Sequence, residues 1–522
     1  MQQSTYQAQT NKIDLQEFAR DCVAGVTLKN FRKYAFAKYP DYALKPFNLL
    51  LPFKELMKGY VARYPELTSV FNSYEHKNVE LFKEYANSEN AGPFTFMQAL
   101  FFPAILILGN EKQIEYWTKL CLDHRITVSY AQTEIAHGSD VQGIQTVAEY
   151  NPQKKCLVFN TPSIGAMKFW PGGLGCVCTH IVTQAQLIVN GKKCGLQTFV
   201  VQIRDFKDMK LVKGVEAGDI GPKFGFKSID NGYLKFTNFE APVDALLQKF
   251  IQLDADGNLT QNEDKNAQTL TYGAMMNLRS NLLRLFTGMN SKLYGMAYLH
   301  QKKLGFNSVE ARTWLDGLAV YWDFILASLY IRNVFTEFMK HYNTDVKQAL
   351  RMIKEMHFLT SGMKVLSSWN VVKLAREQAV GNYLGNLTLN GLLFMYGEAL
   401  PTVTYEGDNI VLIQQVAQIL LLYYNNLRTG KEIKGSATQF LNKYQKYVTE
   451  DLEFTEKIVI KKPEDFFTHS QQILENFCFK YLSDFIKKFQ KALMEDGIPM
   501  KVAMADTLQI PLVTLEIGRA SC

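Results

Sequence analysis

The sequence predicts an α+β protein that is mostly α-helical. Apolar residues recur at every third or fourth position from Ile13 to Arg125 and again from Leu270 onwards, which is the spacing of helices that bury one face. Between these stretches, from Ile126 to about Phe250, apolar and polar residues alternate as they do in half-buried strands. We therefore predict an N-terminal helical domain, a central β-barrel-like domain, a helical bundle and a partial second helical domain.

The composition narrows the class of protein. With 522 residues, of which 47% are hydrophobic and 20% charged, the chain can bury large cores and should form more than two domains. Its net charge of +7 is spread without a long Lys/Arg block, which predicts no nucleic-acid partner and suits an anionic ligand. Cys176 and Cys178 have no His or Cys at zinc-ligand spacing, so we predict no metal site.

The N-terminal helical domain is assigned to residues 1–125 and the β domain to residues 126–253. In the first, the run from Phe96 to Gly109 is apolar nearly all round, which predicts a central helix ended by Gly109. In the second, Asn190-Gly191 and Asn231-Gly232 are dipeptides typical of tight turns between strands. The strands predicted for this domain include Leu157–Asn160, Thr179–Val189, Leu196–Ile203 and Tyr233–Phe239.

The polar stretch at residues 254–268 predicts a linker out of the β domain. Residues 269–428 form the predicted bundle, with helices at Val346 to Ala379 and Ile410 to Tyr424, and residues 429–522 form the partial second helical domain. We predict no membrane span, because charged residues interrupt the longest apolar stretch, from Trp314 to Phe335.

The β domain opens on the most informative stretch, from Ser129 to Gly175. Alternation around residues 128–132 and 144–150 predicts a strand, a wide turn and a second strand. Further on, Pro171-Gly172-Gly173 removes side chains from a turn beside the flat ring of Trp170. From residue types alone, these turns are either ordinary structural turns or a place where the backbone approaches a ligand.

Five sequence motifs are the basis of the predicted function: YAQTE, GAMKFWPGGLG, THIVTQAQLI, DIGPKFGFKSIDNGYL and TYEGDN. In this order they resemble the acyl-CoA oxidase family, flavoenzymes related to the acyl-CoA dehydrogenases, and the resemblance extends from about Pro93 to the end of the chain. It implies that FAD and molecular oxygen are used to convert a fatty acyl-CoA to a trans-2-enoyl-CoA and hydrogen peroxide, in fatty acid β-oxidation. It also implies a homodimer that shares its FAD sites and a peroxisomal location.

The resemblance assigns the catalytic base to Glu406 in the TYEGDN block. This residue stands directly before the apolar helix predicted from Ile410. Amide groups at a helix start would favour the charged carboxylate, whereas an apolar pocket would raise its pKa towards useful basicity. The sequence leaves open which influence is larger, and a Glu before a helix is most often an ordinary N-terminal charge.

The resemblance also assigns the flavin contacts. Thr133 would bond the isoalloxazine edge, Gly172 would let the ring approach and Trp170 would pack against it. Ser139 and Asp140 resemble the turn that contacts the acyl thioester in the related dehydrogenases, although Ser139 also suits a turn that satisfies its own backbone.

Two segments depart from the family. Residues 300–306 read HQKKLGF, where the family has an Arg-Arg-Gln-type segment that reaches the partner's FAD, and residues 377–385 read EQAVGNYLG, where it has Cys-Gly-Gly-His-Gly-Tyr. The chain also stops at TLEIGRASC without a helix cap, so we expect an incomplete C-terminal domain. Two alternatives follow: an acyl-CoA dehydrogenase that passes electrons to a carrier protein, and a catalytically silent member that acts as a binding or assembly subunit.

Overall fold

The computed structural model describes residues 100–122, 125–226, 229–261, 327–342, 344–379, 392–435, 437–454 and 463–497, with residues 276, 279, 280, 282, 283, 285–290, 293 and 324. These residues fold into two compact units, one holding residues 100–102, 115–136 and 144–245 and the other holding residues 103–114, 137–143 and the described residues after 245. The helices expected before residue 100, the segment at 300–306 and residues 380–385 lie outside the described residues.

The helices of the described residues are long in the C-terminal half of the chain. Labelled in chain order, they are α1 Phe102–Leu108, α2 Glu111–Leu122, α3 Val346–Ala379, α4 Leu392–Ala399, α5 Asn409–Arg428, α6 Gln445–Thr449 and α7 Pro463–Met494. Residues 327–342 are also helical. Helix α1 ends where the sequence predicts, because the amide of Gly109 donates to the carbonyl of Ile105 and the chain then turns.

Three sheets contain the strands of the described residues. The strands are β1 Val128–Ala131, β2 Val147–Asn151, β3 Cys156–Asn160, β4 Lys168–Phe169, β5 His180–Val189, β6 Lys192–Gln202, β7 Val215–Asp219, β8 Gly232–Phe236, β9 Phe239–Pro242, β10 Ile251–Leu253 and β11 Leu259–Gln261. A six-stranded sheet joins β1, β2, β3, β5, β6 and β9, a three-stranded sheet has the order β4-β8-β7, and β10 pairs with β11. The coarse prediction of helices combined with a sheet domain is therefore confirmed.

The strand, turn and strand predicted around residues 128–150 are present, but they are not a hairpin. Both β1 and β2 run parallel to β5, β1 along residues 180–183 and β2 along residues 186–188. Because β6 occupies the other edge of β5, β1 and β2 follow one another along the same edge. The wide turn between them therefore does not join two neighbouring strands of this sheet.

One of the two predicted tight turns is confirmed and the other is wrong. Asn190 and Gly191 have φ values of +52° and +74° and connect β5 to β6 as a two-residue hairpin turn. Gly232 instead begins β8 and pairs with Asp219 of β7. Its small size is needed for a close approach, because a Cβ atom there would lie 2.5 Å from the amide nitrogen of Gly175.

Aromatic rings form the centre of the first unit. Phe159 on β3 is fully buried and its ring packs against those of Phe199, Phe236 and Phe239 at centroid distances of 5.1 to 5.8 Å. The predicted strand Tyr233–Phe239 is two strands in the structure, β8 and β9, because the chain turns at Asn238 with a φ of +48°. That turn brings two of the four rings onto the same core.

The second unit has the predicted long helices. Helix α3 has the predicted bounds, and α5 contains the predicted Ile410–Tyr424 and extends it at both ends. Val371, Leu374 and Ala375 of α3 are buried with Phe286. Among the described residues, α5 alone is long and apolar enough to cross a membrane by length and composition, although a core helix passes the same test. The absence of a membrane span therefore remains a prediction.

Candidate active site

Glu406 lies in a left-handed turn at the start of α5. Its φ is +59° and that of the following Gly407 is +105°, and Asp408 then caps the helix by accepting from the amide of Ile410 at 2.9 Å. A non-glycine residue in this conformation costs about 1–3 kcal/mol and persists only where the surroundings hold it. The turn therefore needs specific contacts to keep Glu406 in place.

Two buried cations supply those contacts. Arg279 donates from Nε to the carbonyl of Glu406 at 3.0 Å, and Lys364 donates from Nζ to the carbonyl of Gly407 at 2.8 Å. Lys364 also donates to Oδ1 of Asn409 at 2.8 Å. Each of the two peptide carbonyls of the turn thus accepts a charge-assisted hydrogen bond, which is about twice as strong as a neutral one.

Arg279 is in turn held against the middle of α3. Its Nη1 donates to Oγ of Ser361 at 3.3 Å and lies 3.4 Å from Nδ1 of His357. Because burial and the charge of Arg279 lower the pKa of His357 to about 4, the imidazole is neutral and its Nδ1 can accept from the guanidinium. The turn that carries Glu406 is thereby tied to α3.

The electrostatics of this turn answer the question that the sequence left open. Burial raises the pKa of Glu406 to about 7, and the positive charges of Arg279 and Lys364 oppose the rise. Burial likewise lowers the pKa of Lys364 to about 7, with the charge of Arg279 acting in the same direction. Desolvation is therefore the larger influence on Glu406, and two cations oppose it. A carboxyl with this pKa can take up and release a proton at neutral pH.

Gly407 is required by space as well as by conformation. A Cβ atom at this position would lie 2.9 Å from Cδ2 of Leu412 and 3.2 Å from Nη2 of Arg279. Both neighbours are themselves buried, so they have little room to move. The turn Glu406-Gly407 therefore depends on the glycine at its second position.

In the first unit, the structure brings together two of the predicted flavin segments. The amide of Phe169 donates to the carbonyl of Thr133 at 3.0 Å, so Thr133 lies beside the turn that holds Trp170 and Gly172. Trp170 has a φ of +82° and is 50% exposed. Half of this residue therefore stays outside the core, in a backbone conformation that the surroundings must hold.

Hydrogen bonds from Asn231 and from Gly232, the first residue of β8, hold Trp170 in this conformation. Asn231 donates from Nδ2 to the carbonyl of Trp170 at 2.7 Å. The amide of Trp170 donates to the carbonyl of Gly232, and the amide of Gly232 donates to that of Pro171, each at 3.0 Å. The carbonyl oxygen Oδ1 of Asn231 is buried without a hydrogen-bond partner among the described residues.

A buried ion pair supports the same segment and was missed from the sequence. Lys168, two residues before Trp170, donates to Oε1 of Glu134 at 3.1 Å, and neither side chain is exposed. Lys168 also donates to the carbonyls of Gln132 at 3.1 Å and Gln184 at 2.8 Å. The signal that could have found the pair is the place of both residues inside the motifs YAQTE and KFWPGG, directly beside predicted flavin contacts.

Both charges of this pair are retained. Glu134 accepts from the amides of Gln145 and Thr146 and from the hydroxyl of Thr146, and together with Lys168 these donors keep the pKa of the carboxyl below its usual value despite burial. Burial lowers the pKa of Lys168 to about 8 against the opposing charge of Glu134. At neutral pH both groups are therefore ionised.

A second pair of charged residues anchors the loop that follows Gly172. Arg204 is buried and donates to the carbonyls of Leu174, Gly175 and Cys178 at 2.8 to 3.0 Å. Asp230 accepts from the amides of Cys176 and Val177 at 2.7 and 3.0 Å. This loop is therefore fixed by side chains at both its carbonyl and its amide groups.

Ser139 and Asp140 lie on the exposed turn at residues 137–143, which belongs to the second unit. The carbonyl of Ser139 accepts from the amide of Val141, and Oδ1 of Asp140 accepts from the amide of Gly143 at 3.2 Å. Asp140 thus stabilises its own turn, while the Ser139 side chain is exposed. No cluster of His, Cys, Asp or Glu that could hold a metal is present among the described residues.

Comparison with known proteins identifies a matching family model and several relatives of this chain. A model of the acyl-CoA oxidase C-alpha1 domain matches residues 304–421. Peroxisomal acyl-coenzyme A oxidase 1 of Rattus norvegicus is 32% identical over 421 residues, which are 77% of this chain and 62% of the rat protein. The protein of the same name from Homo sapiens is 34% identical over 363 residues, 67% of this chain and 54% of the human one. The chain belongs to the acyl-CoA oxidase family.

Solved structures of acyl-CoA oxidases have the same fold. The acyl-CoA oxidase of Lycopersicon esculentum superposes with a TM-score of 0.79 at 26% identity, over 95% of this chain and 78% of the tomato protein. Acyl-CoA oxidase-2 of Caenorhabditis elegans, solved with FAD, ascaroside-CoA and ATP, superposes with a TM-score of 0.78 at 24% identity, over 95% of this chain and 74% of the nematode protein. This acyl-CoA oxidase family member spans less than two thirds of the rat and human relatives.

Proposed function

We propose that this protein is an acyl-CoA oxidase that converts a fatty acyl-CoA to the trans-2-enoyl-CoA and passes the electrons to oxygen, which gives hydrogen peroxide. The observation that carries the proposal is Glu406, a carboxyl with a pKa of about 7 that is held in a strained turn by two buried cations. We place this activity in peroxisomal fatty acid β-oxidation, since the rat and human relatives are named peroxisomal acyl-CoA oxidases.

The base in this reaction is Glu406. Removal of hydrogen from adjacent carbons of a thioester requires a base at the α-carbon and an acceptor for the hydride of the β-carbon. FAD, when bound, supplies that acceptor. Glu406 takes the α-proton onto its carboxylate, and a pKa near neutrality lets it hold that proton and later release it. The fixed turn holds the backbone from which the carboxylate extends.

The residues of the first unit fit a flavin. Trp170 offers half of its ring to solvent, Gly172 has no side chain and the turn they share is bonded to Thr133. We assign these three residues to the isoalloxazine ring, with the hydroxyl of Thr133 as a donor to the ring edge. Ser139 and Asp140 are assigned to the acyl thioester, where the exposed hydroxyl of Ser139 can turn towards a substrate.

The organisation of the chain follows from the same proposal. We assign residues 1–125 to an N-terminal helical domain, 126–253 to a β-barrel-like domain for the flavin and acyl-CoA, and 254–268 to a linker. Residues 269–428 form the bundle that carries Glu406, and residues 429–522 form part of a second helical domain. The proposed assembly is a homodimer without a membrane span.

The visible spectrum of the purified chain tests this function. We expect a yellow protein whose flavin absorbance bleaches when a fatty acyl-CoA is added without oxygen. Readmission of air should restore the absorbance and release one hydrogen peroxide for each enoyl-CoA. Bleaching that is reversed only by an electron-carrier protein would identify a dehydrogenase instead, and a colourless protein that takes up no FAD would identify a silent subunit.

A further inference from the structure

Lys364 is a buried cation that, among the described residues, makes hydrogen bonds only to neutral groups. Its side chain is fully buried in the middle of α3, and its Nζ donates at 2.8 Å to two neutral oxygens, the carbonyl of Gly407 and Oδ1 of Asn409. Asn409 is itself fixed, because its Nδ2 donates to Oγ of Ser368 at 2.9 Å. A neutral donor would be enough to satisfy two such oxygens, so the presence of an ionisable lysine here calls for a separate explanation.

We propose that Lys364 is a positioning residue for Glu406, which rests on the proposed function: its ammonium group fixes the left-handed turn through Gly407, and its charge keeps the carboxylate of Glu406 ionised and ready to accept the α-proton. The hydrogen bond acts on the backbone directly after Glu406, whereas the charge acts on the side chain. These two actions can be separated, because a neutral hydrogen-bond donor is able to preserve the bond to the backbone without supplying the charge.

The charged groups around Glu406 are consistent with this role. Arg279 approaches the turn from the helical residues near 280 and Lys364 from α3, and both favour the ionised carboxylate. Two further carboxylates act on the neighbours of Glu406: Asp408, on the same turn, acts on Lys364, and Glu398 on α4 acts on Tyr405. His357 on α3 is neutral because burial and Arg279 lower its pKa. Lys364 therefore contributes one of two positive charges at this carboxylate.

The test compares four variants with the wild type. K364M removes both the charge and the donor, K364Q keeps a donor without a charge, and K364R keeps the charge. K373M is the matched control, because Lys373 lies on the same helix and is exposed. For each purified holoenzyme, the limiting rate of flavin bleaching by saturating acyl-CoA without oxygen is measured from about pH 6 to about pH 9. Flavin content and circular dichroism report whether each variant is folded.

The expected result is a shift of the pH midpoint. Loss of the charge in K364M and K364Q should raise the midpoint by on the order of one pH unit, which lowers the rate at pH 7 by about fivefold. K373M should keep the wild-type midpoint, and K364R, which stays charged throughout this pH range, should not raise it. If K364M does not fold, the contrast between K364Q and K364R carries the same information. An unchanged midpoint in a folded, flavin-bound K364M or K364Q overturns the proposal, since a purely structural role would lower the rate equally at every pH.

A second measurement does not depend on flavin. In urea unfolding at pH 7, the K364M substitution should change the urea concentration at half unfolding more in the wild type than in the E406Q background. Only the wild type has the carboxylate with which Lys364 interacts. Equal shifts in the two backgrounds overturn the proposal. If the wild type is not bleached by acyl-CoA, the proposed function fails, and this comparison still decides whether Lys364 acts on Glu406.

Discussion

The carboxylate of Glu134 and the ammonium group of Lys168 form an ion pair with an N···O distance of 3.1 Å, and neither side chain is exposed to solvent. The pair joins the residues after β1 to β4, which also pair through a single bridge. It lies directly beside Thr133 in sequence and two residues before Trp170, so it connects two segments assigned to the flavin. Removal of one partner would leave the other charge buried without its counter-charge.

Lys168→Met is expected to lower the free energy of unfolding by about 3–5 kcal/mol, because the carboxylate of Glu134 would lose the ammonium group paired with it while remaining buried. The double variant E134Q/K168M should recover part of this loss, since the uncompensated charge is gone. Urea unfolding at pH 7 measures both effects.

Lys154→Met is the control for this comparison. Lys154 pairs with Glu240 in the same unit, but the two side chains are 56% and 50% exposed. Loss of an exposed ion pair has little effect on stability, because water screens the two charges. Equal losses in the Lys154 and Lys168 variants would show that burial does not set the importance of the Glu134–Lys168 pair.

Glu406→Gln is expected to reduce turnover by about 10²-fold to 10⁴-fold, which is the contribution of a positioned general base. Flavin content should stay near that of the wild type, because Glu406 is not one of the residues assigned to the ring. Anaerobic bleaching by acyl-CoA and the absorbance of bound flavin measure the two quantities. Unchanged turnover would remove Glu406 from the mechanism.

The local sequence pattern predicts those helices and turns that are determined by their own residues. The bounds of α3 follow from a helical apolar pattern that runs without interruption from Val346 to Ala379, and Asn190-Gly191 encodes its turn in two residues. Strand pairing is not determined in this way, because the residues of β1 and β2 do not indicate that both strands will pair with β5. For the same reason Asn231-Gly232 resembles a turn although its glycine serves a contact with Gly175.

The part of the candidate site that lies within a motif could be predicted from the sequence. The residues that contact this motif from distant positions in the chain could not. TYEGDN indicates a helix start directly after Glu406, and the helix begins at Asn409 with Asp408 as its cap. Lys364 occupies a position in α3 that periodicity alone would assign as readily to solvent, and Arg279 is 127 residues from the carbonyl it binds. Burial of these two cations depends on packing between helices, which the spacing of apolar residues does not specify.

Gly407→Ala is expected to destabilise the protein by about 1–3 kcal/mol and to lower turnover, because the added methyl group meets Leu412 and Arg279 and the backbone is left-handed. Gly191→Ala is the matched control, since Gly191 also has a positive φ, +74°, but nothing lies within 4 Å of an added Cβ. It should cost about 1 kcal/mol without loss of turnover. Urea unfolding and the rate of enoyl-CoA formation compare them. Equal effects of the two substitutions on turnover would contradict a special role for the Glu406-Gly407 turn.

His180 is expected to make the first unit less stable in acid. Its ring packs edge to face on Trp117 at a centroid distance of 5.5 Å, and burial lowers its pKa from the ordinary 6.5 to about 4. Between these two values the unfolded chain binds a proton that the folded chain does not, so stability falls as the pH falls from 6.5 towards 4, by about 1.4 kcal/mol per pH unit. His180→Gln should lower stability at neutral pH through lost packing but flatten this decline. Urea unfolding followed across this pH range measures the difference, and parallel profiles for the variant and the wild type would show that His180 is not the group that titrates.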